Sequence, residues 1–87
     1  MKVAVWDTYV KREDGRQMHF DILVPDALHD EQAIFRYGKQ FLSSKPFKTG
    51  QLTATECQFC HIEQASERVT SQIEKVGYAI IEMENCN

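Results

Sequence analysis

Two extended runs around one turn constrain this chain more than anything else in it. Residues 2–10, KVAVWDTYV, are rich in β-branched and aromatic side chains, and residues 17–24, QMHFDILV, alternate in polarity. In the second run Met18, Phe20, Ile22 and Val24 share one side, and His19 and Asp21 share the other. Between them Asp14-Gly15 is a strong hairpin signal, because both residue types tolerate the positive φ that such turns require. A two-residue turn there predicts a register. Val10 faces His19, Thr8 faces Asp21 and Trp6 faces Leu23; on the other side Tyr9 meets Phe20, Asp7 meets Ile22 and Val5 meets Val24. The second set is the more apolar and is assigned to the core. Asp7 then falls on a greasy face. An unpartnered ion is costly there, so Asp7 needs a partner or a local shift of register.

The rest of the chain supplies two helices and two strands. Residues 30–44 read as a helix with Ile34, Tyr37, Phe41 and Leu42 on one face, widened by Phe35. Gly38 within that face implies close packing against a sheet, and Pro46 stops the helix. Residues 51–59, QLTATECQF, read as a third strand. Residues 61–76 follow as a helix with a stripe of Ile62, Ala65, Val69, Ile73 and Val76, ended by Gly77. Residues 78–84, YAIIEME, make a fourth strand. The order ββαβαβ implies one α+β domain over residues 1–87. Its expected form is a two-layer α/β sandwich, a four-stranded sheet with both helices on one face. The other face would then be open. It would show Trp6, Thr8, His19 and Asp21, a candidate binding surface for a protein, a small ligand or a second copy of the chain as a homodimer.

Charge narrows the partners. Ten basic residues stand against thirteen acidic ones, for a net charge of −3, and no basic cluster exceeds Lys11-Arg12. That argues against nucleic acid and against an anionic membrane surface, both of which need concentrated positive charge. The N-terminal apolar run stops at Asp7, too short for a signal peptide, and no stretch approaches the ~20 apolar residues of a membrane span. A cytoplasmic chain is therefore expected, with its three cysteines present as thiols or ligands.

Two of them sit in a C-x-x-C-H string: Cys57, Cys60 and His61. Covalent haem uses that string but follows export, and no export signal is present. Zinc is a better match, because Cys57 and Cys60 have the spacing that grips one ion from a tight turn, with His61, His19, His29 or Cys86 to complete the set. A redox dithiol is the third chemistry, if Cys60 stands at a helix N-terminus that favours its thiolate. The bland alternative makes Cys57 a small core residue and Cys60 a junction residue. No pattern nominates a catalytic group.

The segments KVAVWDTYV, MHFDILVP, CQFCHIEQA and GYAIIEME occur in this order across nearly the whole chain. Together they resemble DUF2024, a family of small bacterial proteins whose domain has no assigned function. The resemblance implies a stand-alone α+β domain of the bacterial cytoplasm and supplies no catalytic residues. It places Trp6, Asp7, Tyr9, Asp21, Cys57, Cys60 and His61 inside the matching segments. Three functions follow as expectations: a non-catalytic module binding a protein or ligand, a zinc domain through Cys57 and Cys60, and a thiol redox protein.

Overall fold

A computed structural model describes all 87 residues. The elements run β1 (Lys2–Lys11), β2 (Gln17–Pro25), α1 (Glu31–Ser43), β3 (Cys57–Gln64), α2 (Glu67–Val76) and β4 (Ala79–Glu84). The four strands form one antiparallel sheet in the order β3-β1-β2-β4. The α+β class and the ββαβαβ order are those the sequence predicts.

The hairpin turn decides what each face carries. The Gly15 N–H donates to the Arg12 carbonyl at 3.0 Å, and the Arg12 N–H donates to the Arg16 carbonyl at 2.8 Å. The loop is thus three residues, Glu13-Asp14-Gly15, with Gly15 at φ 91° absorbing the left-handed step. It is centred on Asp14 rather than between Asp14 and Gly15, so the register differs by one residue from the expected one. Ala4 faces Val24, Trp6 faces Ile22, Thr8 faces Phe20 and Val10 faces Met18. Side chains alternate between faces along a strand, so this step moves the whole odd-numbered side of β1 off the expected core face. The physical gain is plain. Met18, Phe20, Ile22 and Val24 all meet small or apolar partners and are fully buried, worth roughly 1.5–3 kcal/mol for each large side chain. Asp7 leaves that face altogether.

α1 covers the even-numbered face. Asp30 caps it, its Oδ1 accepting from the backbone N–H groups of Gln32 at 3.0 Å and Ala33 at 3.4 Å. Ile34 and Phe35 join the core of that face, with Leu52 from the loop after the helix. Gly38 is the point of closest approach. A Cβ there would lie 2.6 Å from Leu52 Cδ1 and 3.0 Å from Ile22 Cδ1, which accounts for the glycine inside an apolar stripe.

α2 covers the other face, which corrects the expectation of two helices on one side. Val69 and Ile73 pack with Val3, Val5, Leu23 and Ala79, all from the odd-numbered side of β1, β2 and the start of β4. The sheet is therefore the middle layer of three. The reason lies in β1 and β2 themselves: the odd face is apolar at one end, through Val3, Val5 and Leu23, and that end needs cover. At the other end it carries Asp7, Tyr9, His19 and Asp21, which α2 leaves outside its core. The third strand also differs from expectation. It starts at Cys57 and runs through residues 61–64, which helical spacing had assigned to α2. Ser66 is the cap of α2, its Oγ accepting from the Val69 N–H at 3.2 Å, and Gly77 ends it at φ 93°. No helix is long and apolar enough to cross a membrane.

Candidate functional site

The new register brings two acids face to face. Asp7 and Asp21 are direct cross-strand partners, and Tyr9 and His19 are the next pair on the same face. Two like charges directly opposite in a sheet are unfavourable, so the pair calls for a proton or a cation. His19 lies over both acids. Its Nε2 is 3.6 Å from Asp7 Oδ1 and 3.7 Å from Asp21 Oδ1. The ring is held by stacking on Tyr9, with centroids 4.1 Å apart and planes 11° apart.

The polar atoms of this group are poorly served by the protein. His19 Nε2 and Asp21 Oδ1 are both shielded from solvent and make no hydrogen bond. Their mutual separation is beyond hydrogen-bond range. One ligand atom from each of Asp7, His19 and Asp21 lies within 4.8 Å of the other two. Burial, and next the Asp7 carboxylate, push the Asp21 carboxyl up to about 6. The facing Asp21 carboxyl holds Asp7 below the usual carboxylate range, with smaller help from Cys60 and His19. The two acids thus titrate as a pair in which Asp21 keeps its proton longer than Asp7 does.

β3 adds the rim. Val5 pairs with His61 but Trp6 pairs with Phe59, so Cys60 is an extra residue, a β-bulge. The bulge places Cys60 beside Asp7 on the same surface. Cys60 Sγ is 3.1 Å from His61 Nδ1, and His61 Nε2 is 2.7 Å from Glu63 Oε1. Desolvation and the nearby Asp7 carboxylate raise the Cys60 thiol above its ordinary value. A thiol ringed by acids is a poor nucleophile in the absence of a cation.

The residues singled out in the sequence are therefore redistributed. Cys57 pairs with Thr8 and is buried in the α1-side core, where burial raises its thiol pKa. Cys60 is exposed on the other face. Cys57 and Cys60 cannot grip one zinc ion or close a disulfide from opposite sides of a strand, and neither stands at a helix N-terminus, since β3 continues through Gln64. Cys60 and His61 do stay together. The expected open surface is likewise split. Trp6 and Thr8 lie on the α1 face, Thr8 fully buried, while His19 and Asp21 lie on the α2 face. A homodimer through a surface combining all four has no such surface to use. Asp7, which the sequence marked as a misfit in the core, proves to be central. The signal was available: Asp7 and Asp21 each stand seven positions from Asp14 (14 − 7 and 21 − 14), so a turn centred on Asp14 pairs them.

Comparison with known proteins agrees with the fold. The NMR structure of protein NE1680 from Nitrosomonas europaea, a structural-genomics target, is similar over 100% of both chains, at 40% identity and a TM-score of 0.80. No curated protein matches the chain. The family model described as "Domain of unknown function (DUF2024)" matches residues 1–83. The chain belongs to the DUF2024 family.

Proposed function

We propose that this protein is a metal-binding domain that holds one divalent cation of the zinc class between Asp7, His19 and Asp21. The observation that carries this is the orphaned pair: a histidine nitrogen and a carboxylate oxygen, both shielded from water, facing each other with no hydrogen-bond partner. Buried polar groups left in that state cost about 1–3 kcal/mol each, and a shared cation removes the cost for both. It also converts the repulsion of two facing carboxylates into a favourable term.

The spacing favours one coordination geometry. Ligand atoms on a tetrahedron with bonds of ~2.1 Å lie roughly 3.4 Å apart, whereas neighbouring ligands on an octahedron lie about 3.0 Å apart. The distances of 3.6 and 3.7 Å from His19 Nε2 to the two carboxylates sit nearer the tetrahedral value. An imidazole nitrogen beside two carboxylates also suits zinc better than magnesium or calcium, which prefer all-oxygen sets. Cys60 lines the neighbouring surface with Asp7 but falls outside the Asp7, His19 and Asp21 cluster, so the fourth position of a tetrahedral ion is left to water.

Isothermal titration of metal-free protein with zinc tests the reading. One saturating site per chain is expected, weakened at least tenfold in Asp7→Asn and in His19→Ala, and unchanged in Cys57→Ala. Heat that does not saturate, or saturation that survives in both Asp7→Asn and His19→Ala, defeats it.

A further inference from the structure

A cavity lies on the face of the sheet opposite the Asp7, His19 and Asp21 cluster, and nothing in that cluster uses it. α1 packs over β2 and leaves the β3 end of the even-numbered face without a helix. There Trp6 pairs with Phe59 and Ala4 with Ile62. The short side chain of Ala4 leaves a recess between the larger ones, and the segment from Asp26 to Glu31 walls its far side. The result is a cavity of about 370 Å³. That volume is within the range of small-molecule sites, toward its lower end.

Three features of the lining describe what would fit. The floor is apolar: Trp6, Phe59 and Ile62, with Leu28 on the wall. Phe59 and Ile62 are 52% and 46% exposed, a large apolar area to leave in water on an edge strand. Trp6 and Phe59 meet edge to face, with ring centroids 5.9 Å apart and planes at 73°, which holds the rings of the floor in place. The second feature is one unused donor. The Trp6 indole N–H is shielded from solvent and has no acceptor. The third is charge: Asp26 and Glu31 line the same cavity together with His29, and no lysine or arginine does, so the two carboxylates outnumber the one imidazole.

The geometry points to this cavity as a binding site for a small amphipathic amine, with an apolar ring or branched body, one hydrogen-bond acceptor and a cationic end. The body would lie on Trp6, Phe59 and Ile62. The acceptor would take the Trp6 N–H. The ammonium would sit between the Asp26 and Glu31 carboxylates, where it also gains from the aromatic faces. Charge complementarity selects against a fatty acid or another organic anion, which would bring a third negative charge to the rim.

Trp6 is the only tryptophan in the chain, so its fluorescence reports on this cavity directly. The test titrates phenylalaninol, which has a ring, a hydroxyl and an amine and is transparent where indole is excited. 3-Phenylpropionate serves as the anionic control. EDTA is present throughout, so the metal site plays no part. Phenylalaninol is expected to give a saturable change with a dissociation constant of roughly 1 mM, as suits a ligand of that size. The carboxylate is expected to bind at least tenfold more weakly. Phe59→Ala, a change at an exposed position, weakens phenylalaninol about tenfold. The pair Asp26→Asn and Glu31→Gln brings the two probes within about threefold of each other. A linear response to phenylalaninol, or equal binding of both probes to the unmodified protein, overturns the assignment. So does a fluorescence change that appears on concentrating the protein alone and tracks a doubled mass in light scattering, because the cavity then receives a second copy of the chain.

Discussion

Replacing Asp21 with asparagine is expected to stabilise the metal-free protein at neutral and alkaline pH. The Asp21 carboxyl is pushed from 3.8 up to about 6, by burial first and by Asp7 second. At about 1.36 kcal/mol per unit, ionising it in the fold costs about 3 kcal/mol more than ionising it in the unfolded chain. Its side chain is 17% exposed, so solvent screening trims this little. The larger offset comes from Asp7, whose lowered pKa arises from the same pairing with Asp21 and must not be counted separately. A net penalty of about 1–2 kcal/mol for the ionised pair is the order expected. The asparagine amide places a neutral donor opposite the Asp7 carboxylate and brings no charge. In a domain of this size 1 kcal/mol corresponds to about 4–8 °C in Tm, so the variant should melt roughly 4–15 °C higher. The sign with pH follows from a folded pKa above the unfolded one. The favourable proton-bound pair is fully present below about pH 4 and is lost as pH rises through about 6. The two proteins should therefore converge near pH 4 and separate above pH 6. Thermal unfolding followed by circular dichroism in EDTA, across a series of pH values, measures this. An Asp21→Asn protein less stable than the parent at about pH 8, or an offset that does not change with pH, refutes the reasoning.

Further outcomes follow from the same structure. Zinc should raise the Tm of the parent protein and leave that of Asp21→Asn unchanged, since ligand that binds only the folded state stabilises it by mass action. In the native protein one thiol, Cys60, should react with a thiol reagent, slowly because its pKa is raised, while the buried Cys57 and Cys86 react only on unfolding; two thiols reactive in the native fold would contradict the face assignment. Cys57→Ser should cost about 1–3 kcal/mol by placing a hydroxyl in the α1-side core, and Cys60→Ser close to nothing, as read by urea denaturation. Gly77→Ala should lower stability by about 1–2 kcal/mol, because the residue sits at φ 93° and a Cβ would lie 3.1 Å from the Tyr37 hydroxyl; an unchanged melting curve would dispose of that argument.

Local signals in the sequence were reliable where one residue type does one job. Gly77 ends α2 in the left-handed region, Gly38 marks a close approach, and the alternation of β2 defines a core side. Two things were not legible from short-range pattern. The first is the length of the hairpin loop. Asp14-Gly15 suits both a two-residue turn and a three-residue loop closed by Gly15, and the choice moves every partner across the hairpin by one. Only the summed burial of four β2 side chains, together with the relief of Asp7, decides it. The second is the boundary between β3 and α2. Ile62 and Ala65 fit the helical spacing of Val69 and Ile73, yet residues 61–64 gain more by pairing with the free edge of β1, and Ser66 offers a cap that restarts the helix later. The candidate site depends on both choices. Its acids face each other only with the three-residue loop, and Cys60 reaches Asp7 only because β3 extends past it with a bulge.

The most direct test is an NMR titration of the histidine rings with zinc, read through long-range proton–nitrogen couplings. At one equivalent the Nε2 resonance of His19 should move to a metal-bound position while His29, on the other side of the sheet, stays put. A His19 ring indifferent to zinc, or a response that vanishes in Cys57→Ala, would contradict a cation held between the two facing acids.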